Sequence, residues 1–214
     1  LRTDIQFVYG KVNPSLIYSV LLELGLGVAA VALGWFLGVN PREHLVPWWD
    51  WKGILKSFAL GASVGLGLAI CMQVFSLLPI RSLQKLDRMV QSQLKTLLVP
   101  MGIPELLLLS LSAGIGEELL FRGLIQGWWL SFYENPTMVE ALPGILVSSV
   151  CFGFAHPLSK TYIAIATLAG LLFGVLYWST GDLLACVLAH AIYDAIICVY
   201  WKWSESRSQN KVSH

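Results

Sequence analysis

Three ionisable residues crowd the stretch GIGEELLFRG at 114–123: Glu117, Glu118 and Arg122, with apolar sequence on both sides. One such residue at the centre of a membrane helix costs about 2.5–3.5 kcal/mol, so the group needs a reason to be there. On an α-helix Glu118 and Arg122 are i and i+4, on one face, and can pair. Glu117 lies roughly 140° from Arg122 on the same wheel and is the spare carboxylate. Downstream, CFGFAHP brings His156 four residues after Phe152, and LAHAIYDAI sets His190 and Asp194 at i and i+4. Intramembrane ionisable residues normally face the bundle interior and mark a site. The economical expectation is one polar, watered cavity lined by Glu117, His156, His190 and Asp194, with Glu118 and Arg122 bracing the helix that carries Glu117.

A partly buried carboxylate is a good general base for water. Imidazoles can share the proton, bind a metal or donate to an oxyanion, and Asp194 can orient His190. No Ser–His or Cys–His pair has suggestive spacing, and HExxH is absent. Ser110 and Ser112 are the nearest hydroxyls and make poor nucleophile candidates. The reaction class these residues support is hydrolysis by activated water.

The chain around them is apolar. Of its 214 residues 56% are hydrophobic and only 13% charged, with mean hydropathy +0.68. That reads as an all-α, polytopic integral membrane bundle. About six membrane segments are expected: Ile17–Val39, Ile54–Leu78, Pro104–Phe132, Val139–Ala155, Thr161–Trp178 and Leu183–Trp201. The fourth is short and interrupted by Pro143 and Pro157, so it either spans or re-enters. Gly61 and Gly65, and Gly170 and Gly174, have the spacing of close helix packing.

Between the second and third segments, Leu83, Leu86, Val90 and Leu94 recur at helical spacing among Arg81, Lys85, Arg88 and Lys95, the pattern of an amphipathic surface helix. The expected organisation is an N-terminal two-span region with that helix (1–103), a membrane core carrying the chemistry (104–203) and a polar tail (204–214).

Six spans gather Arg2, Lys11, Arg81, Lys85, Arg88, Lys95, Lys160, Lys202, Arg207 and Lys211 on one side, against Arg42, Lys52 and Lys56 on the other. The positive-inside bias then puts both termini in the cytoplasm, in a plasma or inner membrane. Net charge of +1 gives no reason to expect nucleic acid as a partner. Cys71, Cys151, Cys186 and Cys198 lack a CxxC pattern and read as buried core thiols. Trp48, Trp49, Trp51, Trp128, Trp129, Trp178, Trp201 and Trp203 read as interface anchors. His44 and His214 read as incidental. The chain opens on Leu1 with no signal-peptide pattern, which we read as a start inside a longer sequence.

EExxxR at EELLFR, FxxxH at FGFAH and HxxxD at HAIYD, in that order on successive membrane segments, resemble the CAAX-protease and bacteriocin-processing family, also called the abortive-infection family. The resemblance covers about residues 104–200. It implies an intramembrane endopeptidase acting on membrane-associated proteins or peptides. It further implies that Glu117 activates water with His156 as its partner, and that His190 and Asp194 stabilise the oxyanion. Glu118 and Arg122 would support them, with Phe152 as packing or pocket wall. Prenyl-protein proteases of the family usually have Asn where Asp194 stands, and an ionised carboxylate cannot donate a hydrogen bond; Asp194 can instead orient His190.

Catalysis without a cofactor is favoured. The alternative is zinc or another divalent metal on Glu117, His156 and His190, which three separate segments would have to bring together. Membrane lipids and a peptide or membrane-protein substrate are the expected partners; the sequence sets no oligomeric state. A non-proteolytic binding or immunity-type protein using the same cavity is the alternative function. A proton-coupled carrier fits less well, since carriers usually show internal repeats and more spans.

Overall fold

A computed structural model describes residues 14–98 and 100–212, and no strand occurs among the described residues. Arg2, Lys11 and His214 lie outside them. The first two segments form helices α1 (Pro14–Leu37) and α2 (Trp51–Ser76), followed by α3 (Arg81–Leu98). The third is α4 (Ile103–Glu118), which runs on through a π-helical segment, Leu119–Gln126, into the short α5 (Gly127–Leu130). Then come α6 (Met138–Phe154), α7 (Lys160–Thr180) and α8 (Leu183–Val212). Four of these, α1, α2, α7 and the Leu183–Ser204 part of α8, are long and apolar enough to cross a membrane. With α6 and the α4–α5 run, the chain is a polytopic helical membrane bundle of six segments, with the charged helix α3 beside it.

Local chemistry sets the helix ends. Asp50 caps α2 by accepting from the Gly53 amide. Thr137 and Glu140 form a reciprocal capping box on α6, which satisfies two of the orphan amides at a helix start. Ser159 caps α7 through the Tyr162 amide, and Gly181 ends it with φ +61°, a conformation that favours glycine. The Asp182 carboxylate accepts from the Ala185 amide at the start of α8 and from the Ser57 hydroxyl of α2 at 2.6 Å, so it ties two segments at one end.

Two expectations are corrected. Pro143 does not interrupt the fourth segment: it sits inside a continuous α6, and Pro157 falls in the turn beyond it. At 17 residues α6 is about 25 Å long, somewhat less than a bilayer core of about 30 Å. The polar stretch after Trp203 is helical, since α8 continues through it to Val212. The cysteines, too, are not all core thiols. Cys186 is buried, but Cys71 and Cys151 are exposed on the outside of the bundle; all four are free.

Small residues let the segments approach. A Cβ on Gly61 would meet Leu188 and the Ala185 carbonyl, which puts α2 flush against α8. In α4 the two glycines before the charged pair face opposite neighbours. A Cβ on Gly114 would lie 2.7 Å from the Val187 carbonyl of α8, and one on Gly116 would run into the Glu23 carbonyl of α1. The glycines of GIGEE thus clamp α4 between α1 and α8. The core around them holds Phe173, Leu176, Tyr177, Leu183, Cys186 and Ala189.

Candidate active site

The charged pair of α4 is completely buried: Glu118 and Arg122 are each 0% exposed. Arg122 Nη1 donates to Glu118 Oε1 at 3.0 Å, and its Nη2 donates to the Gly170 carbonyl of α7 at 2.9 Å. The guanidinium also lies over aromatic faces, 4.6 Å from the Phe152 ring centroid and 5.3 Å from that of Phe173. A guanidinium held by a carboxylate, a carbonyl and two ring faces is well compensated away from water. Arg122 stands in the π segment, where the Gly127 amide reaches back five residues to its carbonyl. Such segments recur at functional sites.

Glu118 carries a second load that the sequence pattern did not announce. His190 of α8 places Nδ1 2.8 Å from the same Glu118 Oε1, while its Nε2 faces Asp194 Oδ2 at 3.5 Å. The imidazole therefore has a carboxylate at each nitrogen. It stacks on Phe173, with ring centroids 5.5 Å apart and planes 11° from parallel. Donation to Glu118 fixes a proton on Nδ1. A second proton on Nε2 makes the ring an imidazolium with Asp194 as counter-ion.

Glu117 points elsewhere, as its position on the wheel requires. Its Oε2 lies 3.7 Å from His156 Nε2 and has no hydrogen-bond partner among the described residues, although the residue is only 8% exposed. His156 Nδ1 is held at 2.8 Å by the Phe152 carbonyl one turn earlier. A carbonyl can only accept, so Nδ1 carries the proton and Nε2 presents a lone pair to Glu117 when the ring is neutral. Phe152 is buried and packs on His156, Phe121 and Phe173. It is the wall joining both halves of the site.

All the residues singled out from the sequence thus meet: Glu117, Glu118 and Arg122 from the third segment, Phe152 and His156 at the end of the fourth, His190 and Asp194 from the sixth. One member was missed. Glu23, on the first segment, has its backbone against Gly116, and its carboxyl lies within electrostatic reach of Glu117, His190, Asp194 and His156. Its Oε2 is buried and without a hydrogen-bond partner among the described residues. The signal was a single acid in the apolar run LLELGLG, with no motif partner nearby in sequence.

Tyr162 of α7 sets its ring edge-on to His156 at 5.9 Å. With Tyr193 it lines a groove of about 300 Å³, whose other walls include Met72, Leu83, Leu86 and Trp201. The charged helix α3 forms one side of this groove with its apolar face. Ser110 and Ser112 each donate to a carbonyl four residues earlier in their own helix.

Residues 99–196 match the family model described as type II CAAX prenyl endopeptidase Rce1-like. No curated protein and no solved structure matches the chain. The matched span takes in α4, the π segment, α5, α6, α7 and α8 as far as Ile196, and so every motif residue gathered at the site. Over that span, a little under half of the chain, the sequence is similar to the CAAX-protease family of membrane peptide hydrolases.

Proposed function

We propose that this protein is an intramembrane endopeptidase that hydrolyses peptide bonds of membrane-associated proteins or peptides with water activated by Glu117 and His156. The observation that carries the reading is the unpartnered Glu117 oxygen 3.7 Å from His156 Nε2. One water molecule can touch both atoms at hydrogen-bond distance. Glu117 takes its proton as the hydroxide adds to the scissile carbonyl, and His156 orients the lone pair for attack. On the other side of Phe152, His190 can share its Nε2 proton, which faces Asp194 at 3.5 Å, with the oxygen as it gains charge. Asp194, as an acceptor, orients that ring and balances its charge. The apolar groove lined by Tyr162, beside His156, and by Tyr193 suits a substrate segment that arrives from the bilayer. The test is cleavage: protein reconstituted in vesicles should generate new amino termini in a panel of membrane-partitioning peptides. Vesicles whose peptides stay intact while the protein is folded would leave binding as the function.

The donor set does not fit a metal. Glu118 holds Nδ1 of His190 and Asp194 faces its Nε2, so neither nitrogen turns a lone pair toward Glu117. No group of three His, Cys, Asp or Glu among the described residues has the geometry to hold an ion. We therefore assign the chemistry to Glu117, His156 and His190 without zinc.

For orientation we place both termini in the cytoplasm of a plasma or inner membrane, from six segments and the excess of Lys and Arg beside α3 and the end of α8. Reporter tags at the two ends should both read cytoplasmic. A C-terminal tag on the outer face would mean that α6, the shortest segment, re-enters.

A further inference from the structure

Glu117 has three other carboxyls within electrostatic reach: Glu23, Glu118 and Asp194. The four face one guanidinium, Arg122, and two imidazoles, His156 and His190. Buried charge without compensation is costly. Even with both imidazoles protonated, neutrality requires one more proton on a carboxyl. The partners decide where that proton belongs. Glu118 is bound by Arg122 and His190, Asp194 faces His190, and Glu117 faces His156. Glu23 is the member with no ion pair within 4.0 Å among the described residues, and its Oε2 is buried and unbonded.

Peptide hydrolysis has a second proton transfer, which either the protonated Glu117 or a separate acid must supply. An amide nitrogen is a poor leaving group and must be protonated as the C–N bond breaks. Resting on the reading of this site as a peptidase, we infer that Glu23 is the acid that protonates the leaving amine. Water gives a proton to Glu117 and its oxygen bonds to the carbonyl carbon. The tetrahedral oxyanion re-forms the carbonyl and expels nitrogen, which takes the Glu23 proton. The products are a carboxyl and an amine, and the proton on Glu117 returns to Glu23 across the α1–α4 contact, restoring both. No oxidant or further reactant is needed.

Esters with an activated phenol as leaving group need no such proton, which provides the test. A membrane peptide cleaved in the vesicle assay and its analogue with a p-nitrophenyl ester at the scissile position are compared. In Glu23→Gln, kcat for the amide should fall about 10²-fold or more with KM unchanged, while the ester rate stays within about threefold of wild type. Equal loss on both substrates would mean a structural role and would overturn the inference, as would an unchanged amide rate. Glu23→Asp, which keeps the acid but withdraws it by one methylene, serves if the Gln variant does not accumulate. Its amide-to-ester ratio should fall about tenfold, and an unchanged ratio would overturn the inference equally. Glu117→Gln run beside them should lose both substrates. Retention of both there would remove Glu117 as the base, independently of Glu23, and wild-type protein that leaves the peptide intact would remove the peptidase reading itself.

Discussion

Replacing Glu117 by Gln should lower turnover by about 10²–10⁴-fold and leave the melting temperature near that of wild type. The side chain keeps its size, and the oxygen that loses its charge has no hydrogen-bond partner to disappoint. What disappears is the acceptor for the water proton, so the effect should fall on kcat. The measurement pairs initial rates with thermal melts of purified protein. A folded Gln variant with more than a tenth of wild-type activity would mean that another group activates water.

The largest effect on stability is expected at the neighbouring residue. Glu118→Gln removes the charge that compensates Arg122 and loosens the tether on His190, both at positions closed to solvent. Breaking a buried pair by removing one partner typically costs about 3–5 kcal/mol, so this variant should melt well below wild type and lose activity with its fold. Arg122→Met should do the same from the other side, leaving Glu118 buried with His190 alone. The double variant Glu118→Gln/Arg122→Met should be more stable than the sum of the two losses implies, because neither charge is then stranded. Additive losses in this cycle would show that the two residues stabilise the bundle separately.

The contrast between two adjacent glutamates was legible in the sequence, because helical spacing alone separates Glu118, on the Arg122 face, from Glu117. The six segments and α3 were legible for the same kind of reason: hydropathy and period report on local structure. The links across the bundle were not. That His190 binds Glu118 through Nδ1, with Asp194 taking the other nitrogen, depends on how α8 docks on α4, and no spacing within either helix carries it. The π segment left no local mark: LLFRGLIQ has ordinary helical composition. Trp129 and Trp178 look like interface anchors in sequence. In the fold their indoles donate to the Glu140 and Pro136 carbonyls and pin the ends of α5 and α7 to the chain around α6. Glu23 is the instructive case. An isolated acid in a 24-residue apolar helix already asks for a partner on energetic grounds, yet only the Gly116 contact identifies which cavity it serves.

The measurement that bears most directly on water activation by Glu117 and His156 is the rate of peptide cleavage by the purified protein after exhaustive chelation, with Glu117→Gln alongside. Catalysis by the protein's own groups predicts that wild-type activity survives the chelator unchanged while the Gln variant stays inactive. Activity that disappears on chelation and returns stoichiometrically with zinc would contradict it.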